Sequence, residues 1–174
     1  MIAIVFWSVR DILPPLPALP SFGSSPAPRV PARATPDLSL TQHQRADKLI
    51  KLQLSPALVA TSQAEQTMSI DCSSGHQLDP ACRADMADVY HRLTAIVDQI
   101  DRADVPPCIQ VQLQDYRNHL NLGAQLLAQG VSAFDRHDGD SVTASLQDFT
   151  RNLQASVASG QAVQAADNAC VGGD

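Results

Sequence analysis

The chain has 174 residues, of which 44% are apolar and only 4% aromatic, with 18 acidic against 12 basic residues for a formal net charge of −6. One domain is the default at this length, and its core must be filled by Leu, Ala, Val and Ile. The negative balance excludes a nucleic-acid binder, which needs surplus Lys and Arg to displace counterions, and it excludes adhesion to an anionic membrane face.

Residues 1–7 (MIAIVFW) are apolar, but Arg10, Asp11 and a run of prolines follow at once. A bilayer span needs about 20 apolar residues. Two readings stand for this stretch: the tail of a signal or membrane anchor, or a disordered tail with a chance apolar start. Ala32-Arg33-Ala34 has the form of a signal-cleavage site but lies far from the apolar run. Residues 14–37 are proline-rich, so neither helix nor sheet propagates there, and residues 1–37 are expected to be a tail or semi-rigid linker.

Helical patterning begins after residue 37, and 38–171 are expected to form one bundle domain. Thr41 with Gln44 three residues on fits a capping box. Ser55-Pro56 is expected to interrupt the first helix, with Ser55 as a new N-cap and Pro56 in the first helical position. The second piece continues weakly through Leu58, Ala64 and Met68. Residues 70–79 read as a loop, closed by Asp79-Pro80 as cap and start of the next helix. That helix carries a clean stripe of Met86, Val89, Leu93, Ile96, Val97 and Ile100. Pro106-Pro107 forbids its continuation.

Two long helices follow, over 109–136 and 141–169. The first has a heptad seam through Ile109, Leu113, Tyr116, Leu120, Gly123, Leu127, Gly130 and Phe134. The second repeats it through Val142, Leu146, Phe149, Leu153, Ser156, Gly160, Val163, Asp167 and Cys170. Gly139 is expected to take the left-handed cap between them, with Asp140 or Ser141 starting the last helix. The fold class is therefore all-α: an antiparallel up-down four-helix bundle behind a disordered proline-rich N-terminal tail.

This topology selects among the three ways of pairing four cysteines. Cys72 and Cys82 flank the loop at one end of the bundle, while Cys108 and Cys170 begin and end the last hairpin at the other. The expected bridges are 72–82 and 108–170, which imply folding in an oxidising compartment. Pairing 108 with 170 sets Gly130 opposite Phe149, Leu120 near Gly160 and Gly123 opposite Ser156. The thin Gly123, Ser156 and Gly160 layer is a candidate pocket between helices, weighed against simple close helix approach.

No catalytic or metal signature emerges, and an enzyme, a cofactor and a metal site are not expected. Asp88-x-x-His91 has the form of half a di-iron motif, but His119 has Tyr116 where a carboxylate belongs, with Asp115 a turn away. Asp135, Asp138 and Asp140 lack the spacing of a calcium loop, and neither C-x-x-C-H nor G-x-S-x-G occurs. Asp167 on the inner stripe at a helix C-terminus runs against the helix dipole. It is expected either to fray into solvent or to pair with Arg45 or Arg102.

The plan resembles that of small bacterial extracytoplasmic helical proteins, a resemblance carried by the Pro-Pro-Cys hairpin, and fold analogy gives no function. The reading is a non-catalytic extracytoplasmic module, secreted or membrane-anchored, serving interaction or scaffolding at the cell envelope. Its partner is an unidentified protein, dimerisation of hairpins is compatible with the seam, and membrane contact runs through an N-terminal anchor if one exists. The alternatives are a carrier of a small apolar ligand or metal in the bundle core, and a cytosolic partner subunit with reduced thiols.

Overall fold

The computed structural model describes residues 40–170, so the apolar start and the proline-rich tail at 1–37 lie outside the described residues. All regular structure within 40–170 is helical, in four antiparallel rods. The first rod is composite: α1 (Gln42–Asp47), a π-helical stretch (Lys48–Leu54) and α2 (Ser55–Asp71) run on without a break. The other rods are α3 (Pro80–Arg102), α4 (Gln110–Asp135), entered through a 3₁₀ turn at Pro107–Ile109, and α5 (Gly139–Ala169).

Thr41 caps α1 as the sequence implies. Its hydroxyl accepts from the Gln44 amide at 3.2 Å, and Gln44 Oε1 accepts from the Thr41 amide at 2.9 Å. The expected interruption at Ser55-Pro56 does not occur, because the backbone widens instead of stopping. Pro56 has no N–H, and its ring would collide with the carbonyl four residues back in an α-helix. The π register removes that conflict one turn earlier, where the Ser55 amide bonds the Ile50 carbonyl five residues back. The Gln53 carbonyl, at the end of the stretch, accepts from Gln99 Nε2 of α3 at 3.0 Å.

Two further caps differ from expectation. Asp79 precedes α3, but its carboxylate caps no amide and instead meets His76 Nδ1 at 2.6 Å. At the α4–α5 turn the left-handed residue is His137 (φ 58°), and Gly139 is already the first residue of α5. The cap is Asp138, whose carboxylate accepts from the Ser141 amide at 3.1 Å and the Ser141 hydroxyl at 2.6 Å. An early αL residue lets the helix start two residues sooner.

The core is the stripe of α3 sealed on both sides. Met86, Val89, Leu93, Ile96, Val97 and Ile100 are all buried, against Leu49, Leu54 and Met68 of the first rod and Ile109, Leu113, Leu120 and Leu127 at the α4 side. Rigid clamps fix α3 on α4 at both ends. Arg83 Nε and Nη2 donate to Asp135 Oδ1 and Oδ2 at 2.7 and 3.2 Å, and Arg117 makes the same paired contact with Asp101 at 3.0 and 2.6 Å. The disulfides Cys72–Cys82 and Cys108–Cys170 form as the topology requires, with Cα separations of 4.6 and 5.7 Å.

Packing around the ring is uneven. The first rod lies along α3, α3 along α4 and α4 along α5, and the ring closes at one end where α1 meets α5. Over their length α2 and α5 share no close backbone face.

Candidate functional site

The last helix turns a different face inward from the one its leucines mark. Val142, Phe149, Ser156, Val163, Asp167 and Cys170 are buried as the heptad implies, but Leu146, Leu153 and Gly160 sit at the half-buried margin. Ser145, Asn152 and Ser159 are buried in their place. Close approach of α4 explains the exchange, since only small side chains fit beneath a neighbouring helix backbone and rings.

The facing pairs are displaced accordingly. A Cβ on Gly123 would lie 3.2 Å from Asn152, 3.3 Å from Phe149 and 3.4 Å from Leu93, and one on Gly130 would lie 3.4 Å from Ser145 and 2.9 Å from Met86. Gly160 lies under the Tyr116 ring, whose nearest carbon is 3.4 Å from where its Cβ would be. The 3₁₀ turn before α4, with its longer rise of about 2.0 Å per residue, advances that helix in the direction of the displacement. Gly123, Ser156 and Gly160 are thus brought to the α4–α5 contact, where Phe149, Asn152 and Tyr116 occupy the space that their small side chains leave. The Asn152 amide spans this interface, donating to the His119 carbonyl at 2.8 Å while its Oδ1 lies 3.1 Å from His119 Nδ1. That pairing places the His119 proton on Nδ1.

Two clefts open elsewhere. One of about 480 Å³ lies between the π-helical stretch and the end of α3, lined by Leu40, Lys48, Leu49, Ala95, Gln99 and Arg102 among others. Its rim charges are largely spent on each other: Arg45 Nη1 donates to Asp104 at 3.0 Å and Arg102 Nη2 to Asp98 at 3.0 Å. The other, of about 580 Å³, lies beside the Cys72 loop, against Thr143, Leu146 and Thr150 of α5.

Polar and ionisable groups gather in three places along the first rod. Where α1 meets α5, Asp167 is 1% exposed, so it neither frays nor pairs with Arg45 or Arg102. Its partner is His43, whose Nδ1 lies 3.4 Å from Asp167 Oδ1 and 3.2 Å from its carbonyl oxygen. Asp47 is hydrogen-bonded to Lys51 and also adjoins Asp167, and the Lys51 ammonium holds the Asp47 carboxyl below the usual carboxylate range.

Midway along α2, Thr61 is buried, and Glu65, the single glutamate of the chain, is half-buried and close enough to Tyr116 for its charge to act there. Burial pushes the Glu65 carboxyl up to about 7. The Tyr116 hydroxyl, hydrogen-bonded with Ser156, is pushed up to about 12 by burial and then by the Glu65 charge. At the end of α2, Asp71 hydrogen-bonds Asp85 of α3. Burial, the Asp71 contact and the charges of Asp71 and Asp88 push Asp85 up to about 7. Among the described residues no Lys, Arg or His forms an ion pair with Glu65 or Asp85.

The motif candidates disperse. Asp88 is held by Arg92 at 2.8 Å, His91 is exposed, and Asp115 stays 4.0 Å from His119 Nε2. Asp135 is committed to Arg83 and Asp138 to its cap, while Asp140 is exposed. Among the described residues no three His, Cys, Asp or Glu side chains converge as a metal site requires, and no helix is long and apolar enough to cross a membrane. The sequence pattern singled out Asp167 but not His43, Glu65 or the Asp71–Asp85 pair. A signal for Glu65 was its place on the inner α2 stripe, four residues after Thr61 and three before Met68. No family model, curated protein or solved structure matches this chain.

Proposed function

We propose that this chain is a non-catalytic helical module of an oxidising, extracytoplasmic space, acting at the cell envelope as an interaction or scaffold surface. The observation that carries the reading is that each end of the bundle is closed by its own disulfide. Such staples persist where thiols are not kept reduced. They also suit this fold, whose last helix buries serines, an asparagine and an aspartate where a self-sufficient bundle would bury leucine. Several ionisable groups support a structural role: Asp138 caps α5, Arg83–Asp135 and Arg117–Asp101 clamp α3 on α4, and Arg45–Asp104 and His43–Asp167 join the first rod to its neighbours.

The test is the intact mass of the protein from its native source, alkylated with and without prior reduction. Four cysteines that alkylate only after reduction are the expected result. Four thiols that alkylate at once would overturn the reading and favour the cytosolic subunit.

A further inference from the structure

The first rod turns an apolar, charge-free side to solvent. Leu52 (72% exposed), Pro56 and Val59 (56% exposed) stand on it one turn apart, and the exposed Gln63 and Gln66 continue the steps of four and three. No charged residue occurs from 52 to 64, whereas the solvent side of α3 carries Asp88, Arg92, Asp98, Asp101 and Arg102. The π-helical stretch helps to build this surface. In an α-helix Leu52 would stand about 60° round the axis from the buried Leu49, and the wider turn carries it outward.

Charge is sorted to the two ends of the same rod. Residues 41–51 hold Arg45, Lys48 and Lys51 against Asp47 alone, while 52–82 hold Glu65, Asp71 and Asp79 and neither Lys nor Arg. The helix macrodipole favours the reverse order, yet the first turn of α1 has no acid and the last turn of α2 no base. Lys48 is exposed and, among the described residues, forms no ion pair.

We propose that this surface pairs with a second copy of the chain, the two first rods lying antiparallel across a two-fold axis at Val59.

The spacing fits that symmetry. With Val59 facing the partner's Val59, Leu52 lies against the partner's Gln66 and Pro56 against the partner's Gln63. A two-fold interface sets a patch against itself, so the patch must be self-complementary. Apolar side chains meet that condition, as do glutamine amides, which both donate and accept. Antiparallel rods also bring Lys48 and Lys51 of each copy to the acidic end of the other, and charges flanking a seam set the orientation of paired helices. Each chain carries a net charge of −6, so two copies approach at least cost through a face that carries none. One helix face, about 22 Å long over 52–66, buries less than the roughly 800 Å² per partner of a standard interface, which sets the affinity in the micromolar range. The pairing rests on the interaction reading proposed above, and the two failures are told apart: free thiols sink the compartment, a one-chain mass sinks the pairing.

The experiment is sedimentation equilibrium of the disulfide-intact full chain from about 1 to about 500 µM, a range that brackets micromolar affinity. The mass should climb from one chain to two. V59D sets two carboxylates on the axis, at an exposed position where the fold tolerates the change, and should weaken association by at least about tenfold. A one-chain mass at every concentration, or V59D associating like the parent, would overturn the pairing. Because all four native cysteines are bridged, V59C carries one free thiol, placed on the axis beside its own copy. Under mild oxidation it should cross-link at least about tenfold faster than Q129C, whose thiol lies on the exposed side of α4. Equal rates would also overturn the pairing.

Discussion

The α4–α5 hairpin and the composite first rod are built on opposite strategies. In the hairpin, small residues let two backbones close on each other, and the space above each is filled by a specific side chain: Tyr116 over Gly160, and Phe149 and Asn152 over Gly123. A disulfide spanning 62 positions then ties its open end. The first rod has no comparable apolar face. It bends its hydrogen-bond register to carry Pro56, buries Thr61, and meets its neighbours through Arg45–Asp104, His43–Asp167 and Asp71–Asp85. Close packing makes a contact that is insensitive to solvent. Contacts through ionisable groups make one that solution conditions can tune.

Removing the long staple tests the first half of this contrast most severely. In the chain-entropy picture C108S/C170S should lose about 4 kcal/mol of unfolding free energy in guanidinium titrations, and C72S/C82S about 3 kcal/mol. If the short-loop variant lost more, the rod would depend on its staple beyond loop entropy. His43→Ala leaves Asp167 buried without its histidine and should cost about 2 kcal/mol by the same assay. A value near zero would mean that α1 is held on α5 by packing alone. The two hairpin glycines should respond with opposite sign. Gly123→Ala crowds Asn152, Phe149 and Leu93 at once and should lose about 1 kcal/mol. Gly160→Ala meets Tyr116 at ordinary contact distance, so its gain in helix propensity should raise stability by up to about 1 kcal/mol. Thermal melts of both variants check the pair.

Periodicity made α3 and the hairpin legible because their core positions are strongly apolar: every residue of the Met86–Ile100 stripe is buried. The cysteine pairing followed from topology alone. Pattern reasoning erred where geometry overrides hydrophobicity. In α5 the position beneath a close neighbour belongs to Ser145, Asn152 and Ser159, and the larger leucines move to the margin. It erred again at Pro56, since the cost of a proline depends on whether the preceding turn can widen, which depends on tertiary contacts. The carboxyl pair was invisible for a simpler reason. Asp71 and Asp85 stand on different helices, and only the loop stapled by Cys72–Cys82 brings them together.

Contact between His43 and Asp167 also gives the molecule a polarity. The described chain enters and leaves at the same pole, and the Cys72–Cys82 loop and the turn at Arg136–Asp138 form the opposite one. A 26-residue α4 separates the poles by roughly 39 Å at about 1.5 Å per residue. A pulling force applied through Leu40 and Cys170 therefore bears first on α1 and the end of α5, beside the Cys108–Cys170 bridge. The far pole, closed by the Cys72–Cys82 bridge, lies outside that load path.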